Sequence, residues 1–281
     1  MCQRVVDLEK KTFRGLIMNR TERRKVDKEA RKSGTKIDYG DIKVEAIQPW
    51  ADVLMKMKLP NEVLKRMIEL TDDILEDESR KNWGDNLAGQ IKDEPLVPHE
   101  KMQEIGVYQF FMDAVGHYVE HCMKQMGTSY NPTKEKFYTM MKSCWVVEQQ
   151  PGEYNPIHIH TECSMSTVMY LKMPEFLPST KPERDDDGCI MFIGQAQPST
   201  RLTRGLMKIK PEVGDFFLFP AHLQHTVYPY QTNDNFARRS VSFNADFMNE
   251  QQYQQMVQQQ QMMQRMQQQN SPKIEIVNET A

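Results

Sequence analysis

Residues 150–174 read Gln-Pro-Gly-Glu-Tyr-Asn-Pro-Ile-His-Ile-His-Thr-Glu-Cys-Ser-Met-Ser-Thr-Val-Met-Tyr-Leu-Lys-Met-Pro. His158 and His160 stand two apart, and Glu162 stands two further on. In an extended strand, positions i, i+2 and i+4 share a face. The spacing therefore sets three metal-ligating groups along one wall. A second stretch, from 214, reads Gly-Asp-Phe-Phe-Leu-Phe-Pro-Ala-His-Leu-Gln-His-Thr-Val-Tyr and supplies His225 as a further ligand. In the run 238–244, Arg238, Ser240, Ser242 and Asn244 alternate with Arg239, Val241 and Phe243, so the first four share one face of a last strand.

Outward from these stretches, residues 136–247 carry period-two patterning and strand-forming residues. Short strands are expected at 137–141, 143–147, 167–171, 189–192, 206–210 and 215–219, then around His225 and from Arg238. Eight or so short strands separated by turn signals point to a sandwich or barrel. Gly214-Asp215 is expected to turn a hairpin ahead of a buried strand. The acidic loop Arg184-Asp185-Asp186-Asp187-Gly188 reads as a solvated turn.

The part before residue 136 is expected to be largely helical. An early strand over 44–54 breaks at Pro49. Pro60-Asn61-Glu62 opens a helix that Asn61 can cap, with Val63, Met67, Ile68, Ile74 and Leu75 on its apolar side. The run 87–91 can pair as a strand. A second helix is expected over 100–126, with Ile105, Tyr108, Phe111, Met112, Val115, Val119 and Met123 as its stripe and Gly127-Thr128 as its stop. On it His117 and His121 are four apart, but Glu120 is misplaced for a His-Glu-x-x-His site and no third ligand follows, so both read as structural.

The fold class read from this pattern is mainly β with N-terminal helices (α+β). Three segments are expected: a basic arm over 1–42, a core domain over 43–248, and a Gln- and Met-rich tail or helix over 249–281. A chain of 281 residues can bury a sizeable core without staples. The net charge of −3 argues against a general affinity for nucleic acid. No 18-residue apolar run is present, so no membrane partner is expected, and the first residues lack the apolar core of a signal peptide. Five cysteines without a Cys-x-x-Cys pair suit reduced thiols and a cytoplasmic location, a host cytoplasm if the chain is phage-encoded. The Gln-rich tail reads either as a loose end or as a marginal helix through which a homo-oligomer can form.

Taken in order, the motifs resemble the double-stranded β-helix (jelly-roll) oxygenases that use Fe(II) and 2-oxoglutarate. The resemblance is to the prolyl-hydroxylase-like, His-x-His branch often found in phages and bacteria. It rests on Trp145, Gly152, Tyr154-Asn155, His158-x-His160 and the Ser-rich run 166–171. Gly188 to Phe192, Phe219-Pro220, His225-Thr226-Val227 and Arg238 to Asn244 extend it, so that it covers roughly residues 45–248.

What the resemblance implies is a dioxygenase that hydroxylates a peptide, protein or small-molecule substrate and releases succinate and CO2. Two ligand sets are open. His160, Glu162 and His225 form a two-histidine-one-carboxylate set. His158, His160 and His225 form a set of three imidazoles. Charge favours the first; the resemblance favours the second, which is the reading adopted. Arg238 is expected to grip the far carboxylate of 2-oxoglutarate with its two-pronged guanidinium, helped by Ser240 and Tyr170. His222 is expected at the rim and Arg239 on the opposite face. Two other readings stay in view: a cupin-like metal dioxygenase that ignores 2-oxoglutarate, and a non-catalytic assembly protein on the same fold.

Overall fold

The computed structural model describes residues 40, 42–47, 52–125, 136–194, 205–234 and 236–270. Most of the basic segment 1–42, the stop expected at Gly127-Thr128 and residues 271–281 lie outside them.

The described chain is mostly antiparallel β-structure with helices against one face. Strands β1 (Val44–Ile47) and β2 (Leu54–Lys58) pair antiparallel. The one strand expected over 44–54 is thus two, separated by a segment containing Pro49, which has no N–H to give to a ladder. Helix α1 (Asn61–Glu76) follows. Its N-cap is Pro60, whose carbonyl accepts from the Leu64 N–H at 2.9 Å, and Asn61 is already helical rather than the cap. Proline's fixed φ suits that position, and its missing N–H is not needed there.

The helix expected over 100–126 is two helices, α2 (His99–Glu104) and α3 (Tyr108–Gln125). Gly106 adopts φ +73° between them. Its N–H reaches the Gln103 carbonyl at 2.9 Å and that of Val107 reaches Met102 at 3.0 Å. This is a glycine-terminated helix end with two crossed bonds, and only the glycine makes it inexpensive.

Among the described residues, ten strands form two sheets. β3 (Phe137–Gln149), β5 (Met165–Lys172), β8 (Asp215–Pro220) and β10 (Arg238–Asn249) join β1 and β2 in the order β1-β2-β8-β5-β10-β3. β4 (Asn155–His158), β6 (Ile190–Ile193), β7 (Leu206–Ile209) and β9 (Gln224–Val227) form the second, in the order β4-β9-β6-β7. The strands expected at 137–141 and 143–147 are one strand. Opposite β10 the register passes from Ser143 to Met141, so Lys142 is a bulge. Gly214, at φ +82°, does turn the chain into β8, but it carries it from one sheet to the other and closes no hairpin. The run 87–91 contributes only a bridge from Gln90 to Tyr154.

Alternation along the large sheet divides the core. Phe216 and Leu218 on β8, Met169 on β5, and Val241 and Phe243 on β10 pack with Val63 and Met67 of α1 and Phe111 and Val115 of α3. Phe217, Phe219, Val168 and Tyr170 point the other way, toward Ile190, Phe192 and Val227 of the small sheet. The same parity sends Arg238, Ser240, Ser242 and Asn244 into the space between the sheets. The last helix, α4 (Glu250–Asn270), docks through Tyr253, whose ring stacks on Tyr138 at 4.0 Å. No helix of the described residues is long and apolar enough to cross a membrane.

Candidate metal centre

β4 and β9 are neighbours in the small sheet, and His158 lies directly opposite His225 in their register. Their ring centroids are 4.2 Å apart. β4 ends at His158, and the chain bends so that the His160 N–H reaches the Ala221 carbonyl at 2.9 Å, at the turn before β9. This brings the His160 Nε2 within 3.4 Å of the His225 Nε2. Ligand atoms of His158, His160 and His225 lie within 4.8 Å of one another, a grouping able to hold a metal ion.

The donor chemistry suits a cation. His158 Nδ1 lies 2.8 Å from the Pro156 carbonyl and His225 Nδ1 lies 2.9 Å from the Leu223 carbonyl. A carbonyl only accepts, so each Nδ1 carries the proton and each Nε2 keeps its lone pair. Burial holds all three rings neutral: the His160 imidazolium is pushed down to about 3, and His158 and His225 are also lowered, chiefly by loss of water.

A pH dependence follows for the metal-free protein. Unfolded histidines titrate near pH ~6.5. Below that pH the unfolded chain takes up protons that the folded chain refuses, so stability is full above it and falls as pH drops toward the folded values. Each ring contributes up to about 1.4 kcal/mol per pH unit in that window. Urea midpoints of the metal-free protein should fall from about pH 6.5 to 5, and fall less in His160→Gln.

Glu162 stands apart from this cluster. It is exposed and adopts φ +59°, on a bend beyond the end of β4. The i, i+2, i+4 wall read from the sequence does not form, because the strand stops before Glu162. His222 is exposed and bonds Asp52 at 3.0 Å, at the rim. His117 and His121 belong to no metal-competent group among the described residues. The four described cysteines are free thiols.

The histidines line a cavity of about 570 Å³ that runs between the sheets, and Arg238, Ser240 and Tyr170 also line it. Arg238 is 2% exposed. Its guanidinium donates to the Gly188 carbonyl at 2.7 Å and to the side-chain oxygen of Gln149, its cross-strand partner, while Nε has no partner. The rings of Tyr170 and Tyr230 each lie 5.6 Å from its carbon. The ionisable groups acting on it are Tyr170, Tyr230 and Cys189, with no carboxylate among them. Burial works against its charge. The Tyr170 hydroxyl is also buried without a hydrogen-bond partner. A cation and orphaned polar groups in a closed space call for an anion. Arg239 faces the opposite side and is paired with Glu148 and Asp72.

Three supports of this guanidinium were not foreseen from sequence. Gln149, Tyr230 and Gly188 lie in separate segments, and no spacing links them to Arg238. The Tyr230 hydroxyl accepts from the Arg238 N–H at 2.7 Å and donates to the Gln149 carbonyl at 2.6 Å. Gly188 has φ +68°, and a Cβ there would lie 2.2 Å from the Phe176 ring. Gly188→Ala should therefore cost about 2–5 kcal/mol, the sum of left-handed strain and overpacking, and should weaken whatever Arg238 binds. Denaturant unfolding would measure the first effect.

The sequence of residues 143–244 matches a family model described as "Putative 2OG-Fe(II) oxygenase". Over this segment the chain is similar to the 2OG-Fe(II) oxygenases. The segment runs from within β3 to within β10 and contains the three histidines, Arg238, Ser240 and Tyr170. The oxygenases of that family are oxidoreductases that use Fe(II) as cofactor and 2-oxoglutarate as cosubstrate. None of the curated proteins matches the chain at a significant level. Among solved structures, a prolyl-4-hydroxylase from Pseudomonas putida is similar at 13% identity over 69% of this chain and 91% of that one, with a TM-score of 0.44. A 2OG-Fe(II) oxygenase-family oxidoreductase from Burkholderia pseudomallei is similar at 14% identity over 68% and 85%, with a TM-score of 0.42. A prolyl hydroxylase from Trichoplax adhaerens, in complex with a hypoxia-inducible-factor peptide, gives 13%, 79%, 92% and 0.40 in the same order.

Proposed function

We propose that His158, His160 and His225 hold Fe(II), that Arg238, Ser240 and Tyr170 hold the far carboxylate of 2-oxoglutarate, and that the enzyme hydroxylates a peptide side chain, proline included, or a small molecule. The observation that carries this reading is the pairing, in one cavity, of a neutral three-imidazole cluster with a buried guanidinium that lacks an acidic partner. The first attracts a divalent cation, and the second attracts an anion from the other side.

When bound, iron and 2-oxoglutarate supply the oxidising chemistry: O2 is consumed, succinate and CO2 leave, and a substrate C–H becomes C–OH. The chain's own residues bind and orient. The Pro156 and Leu223 carbonyls fix the tautomers of His158 and His225, so two Nε2 lone pairs are directed before metal arrives. Arg238 offers a two-pronged donor, and the Ser240 and Tyr170 hydroxyls stand beside it on the cavity wall. Trp145, Phe219 and Val227 line the same space and keep it dry.

The two sheets we read as the halves of a double-stranded β-helix, with residues 43–248 as the catalytic domain, 1–42 as an arm and 249–281 as an appendage that can self-associate. Anaerobic addition of Fe(II) and then 2-oxoglutarate should give a visible charge-transfer band, in the full chain and in a chain cut to 43–248. A full chain that binds iron without the band, and consumes O2 regardless of 2-oxoglutarate, would favour the cupin-like alternative. Succinate release across peptides, amino acids and nucleotides would identify the substrate class, and loss of oligomers on removing 249–281 would test the appendage.

A further inference from the structure

The cavity continues past the histidines to a wall formed by Trp83, Asn86, Leu87, Ala88 and Glu94, all from one polar loop region before α2. Glu94 is 1% exposed, and its Oε2 has no hydrogen-bond partner. No described cation forms an ion pair with it, whereas the charged groups lining the rest of the cavity are accounted for. Lys142 pairs with Asp246 at 3.1 Å, Glu162 is exposed to water, and Arg238 faces the far end. The charged group acting on Glu94 is Glu153, of like sign, and burial with this repulsion pushes the Glu94 carboxyl up to about 7. A carboxyl buried here is relieved either by a proton or by a positive partner.

The surroundings shape that partner. The Trp83 backbone N–H donates to the Glu94 carbonyl at 2.8 Å, and Trp83 lines the same wall, with the Lys81 ammonium 5.5 Å from its ring centroid. Gly84 and Gly89 pack close beside the carboxyl: ideal Cβ atoms there would come within 3.5 and 3.3 Å of its oxygens. At Gly89 a Cβ would also lie 2.4 Å from the Asn155 side-chain oxygen, so the carboxyl borders the strand that carries His158. A buried carboxylate on a wall that also carries the Trp83 ring and the apolar Leu87 suits a nitrogen cation on a carbon chain.

We propose that Glu94 and Trp83 form a substrate subsite for the ammonium or guanidinium group of a basic side chain. This makes the substrate a lysyl- or arginyl-containing peptide or a related amine, and it rests on the dioxygenase reading above. The test uses the full chain loaded anaerobically with Fe(II) and 2-oxoglutarate. Calorimetric titration compares N-acetyl-lysine methylamide with N-acetyl-norleucine methylamide, which differ at the terminal ammonium. Wild type should bind the lysyl compound at least ~10-fold more tightly, about the value of one desolvated cation contact. Glu94→Gln, close to isosteric, should lower lysyl affinity to the norleucyl level while the charge-transfer band persists. Gly89→Ala, which crowds the carboxyl, should weaken lysyl binding as well. Equal binding of the two compounds to wild type, or an undiminished lysyl preference in Glu94→Gln, would overturn the proposal. Absence of the band in wild type would instead strike the cofactor reading, so the two failures are distinguishable.

Discussion

Replacing Arg238 with methionine is expected to raise the 2-oxoglutarate concentration needed for half-saturation by at least about 100-fold, with Fe(II) still bound. Hydrogen bonds to a charged group contribute about 1.5–3 kcal/mol each, and a bidentate carboxylate forfeits two. The stability of the empty protein should change little, within about 2 kcal/mol. Removing a buried cation that has no acidic partner relieves a desolvation cost. Against that, the Gly188 carbonyl and Gln149 side chain lose their donor, which costs about 1–3 kcal/mol for each group left unsatisfied. The measurement is thermal unfolding with and without 2-oxoglutarate. Wild type should gain melting temperature on addition of the keto acid, and Arg238→Met should not. A shift that survives the substitution would remove Arg238 from the binding role. Arg238→Lys should rescue only in part, since an ammonium is a point charge without the planar fork.

The second large effect is expected from the metal ligands. His225→Ala should lose measurable iron and at least about 1000-fold in succinate formation, since even partners one step removed from a metal cost 10–100-fold. His160→Ala should behave the same way. Glu162→Gln should stay within about twofold of wild type, because its carboxylate lies exposed beyond the bend and outside the cluster. Iron content by atomic absorption, read beside activity, separates the two ligand sets. If Glu162→Gln loses iron and His158→Ala retains it, the three-imidazole assignment is wrong.

Much of this was legible in the sequence because strands have period two. The alternation along Arg238 to Asn244 placed Arg238 and Ser240 on one face and Arg239 on the other, and both placements match the structure. The same logic failed at Glu162, since it assumed that the strand ran on through a residue that in fact turns with positive φ. Parity says which face a side chain takes only while the strand lasts. The two-helix break at Gly106 was missed because the apolar stripe is continuous across it, and a single glycine inside a helical pattern is tolerated as often as it terminates one. Two of the supports of Arg238, Gly188 and Gln149, lie 50 and 89 positions from it in the chain, and the wall around Glu94 lies far before the histidines it adjoins. Such neighbours are made by sheet assembly and leave no local pattern.

One asymmetry of the scaffold has a bearing on how the centre loads. Arg238 opens a strand of 12 residues that pairs along its length with a strand of 13, whereas His158 and His225 sit on strands of four residues each, with an irregular register between them. A cation bridging the two short segments acts as a clasp on the least cohesive margin of the molecule. Deuterium uptake at the β4 and β9 amides should slow on metal addition while the long pair is unaffected. Under the proposed assignment, the keto-acid grip stands ready from the outset and the arrival of iron completes the chamber, so metal should bind before cosubstrate.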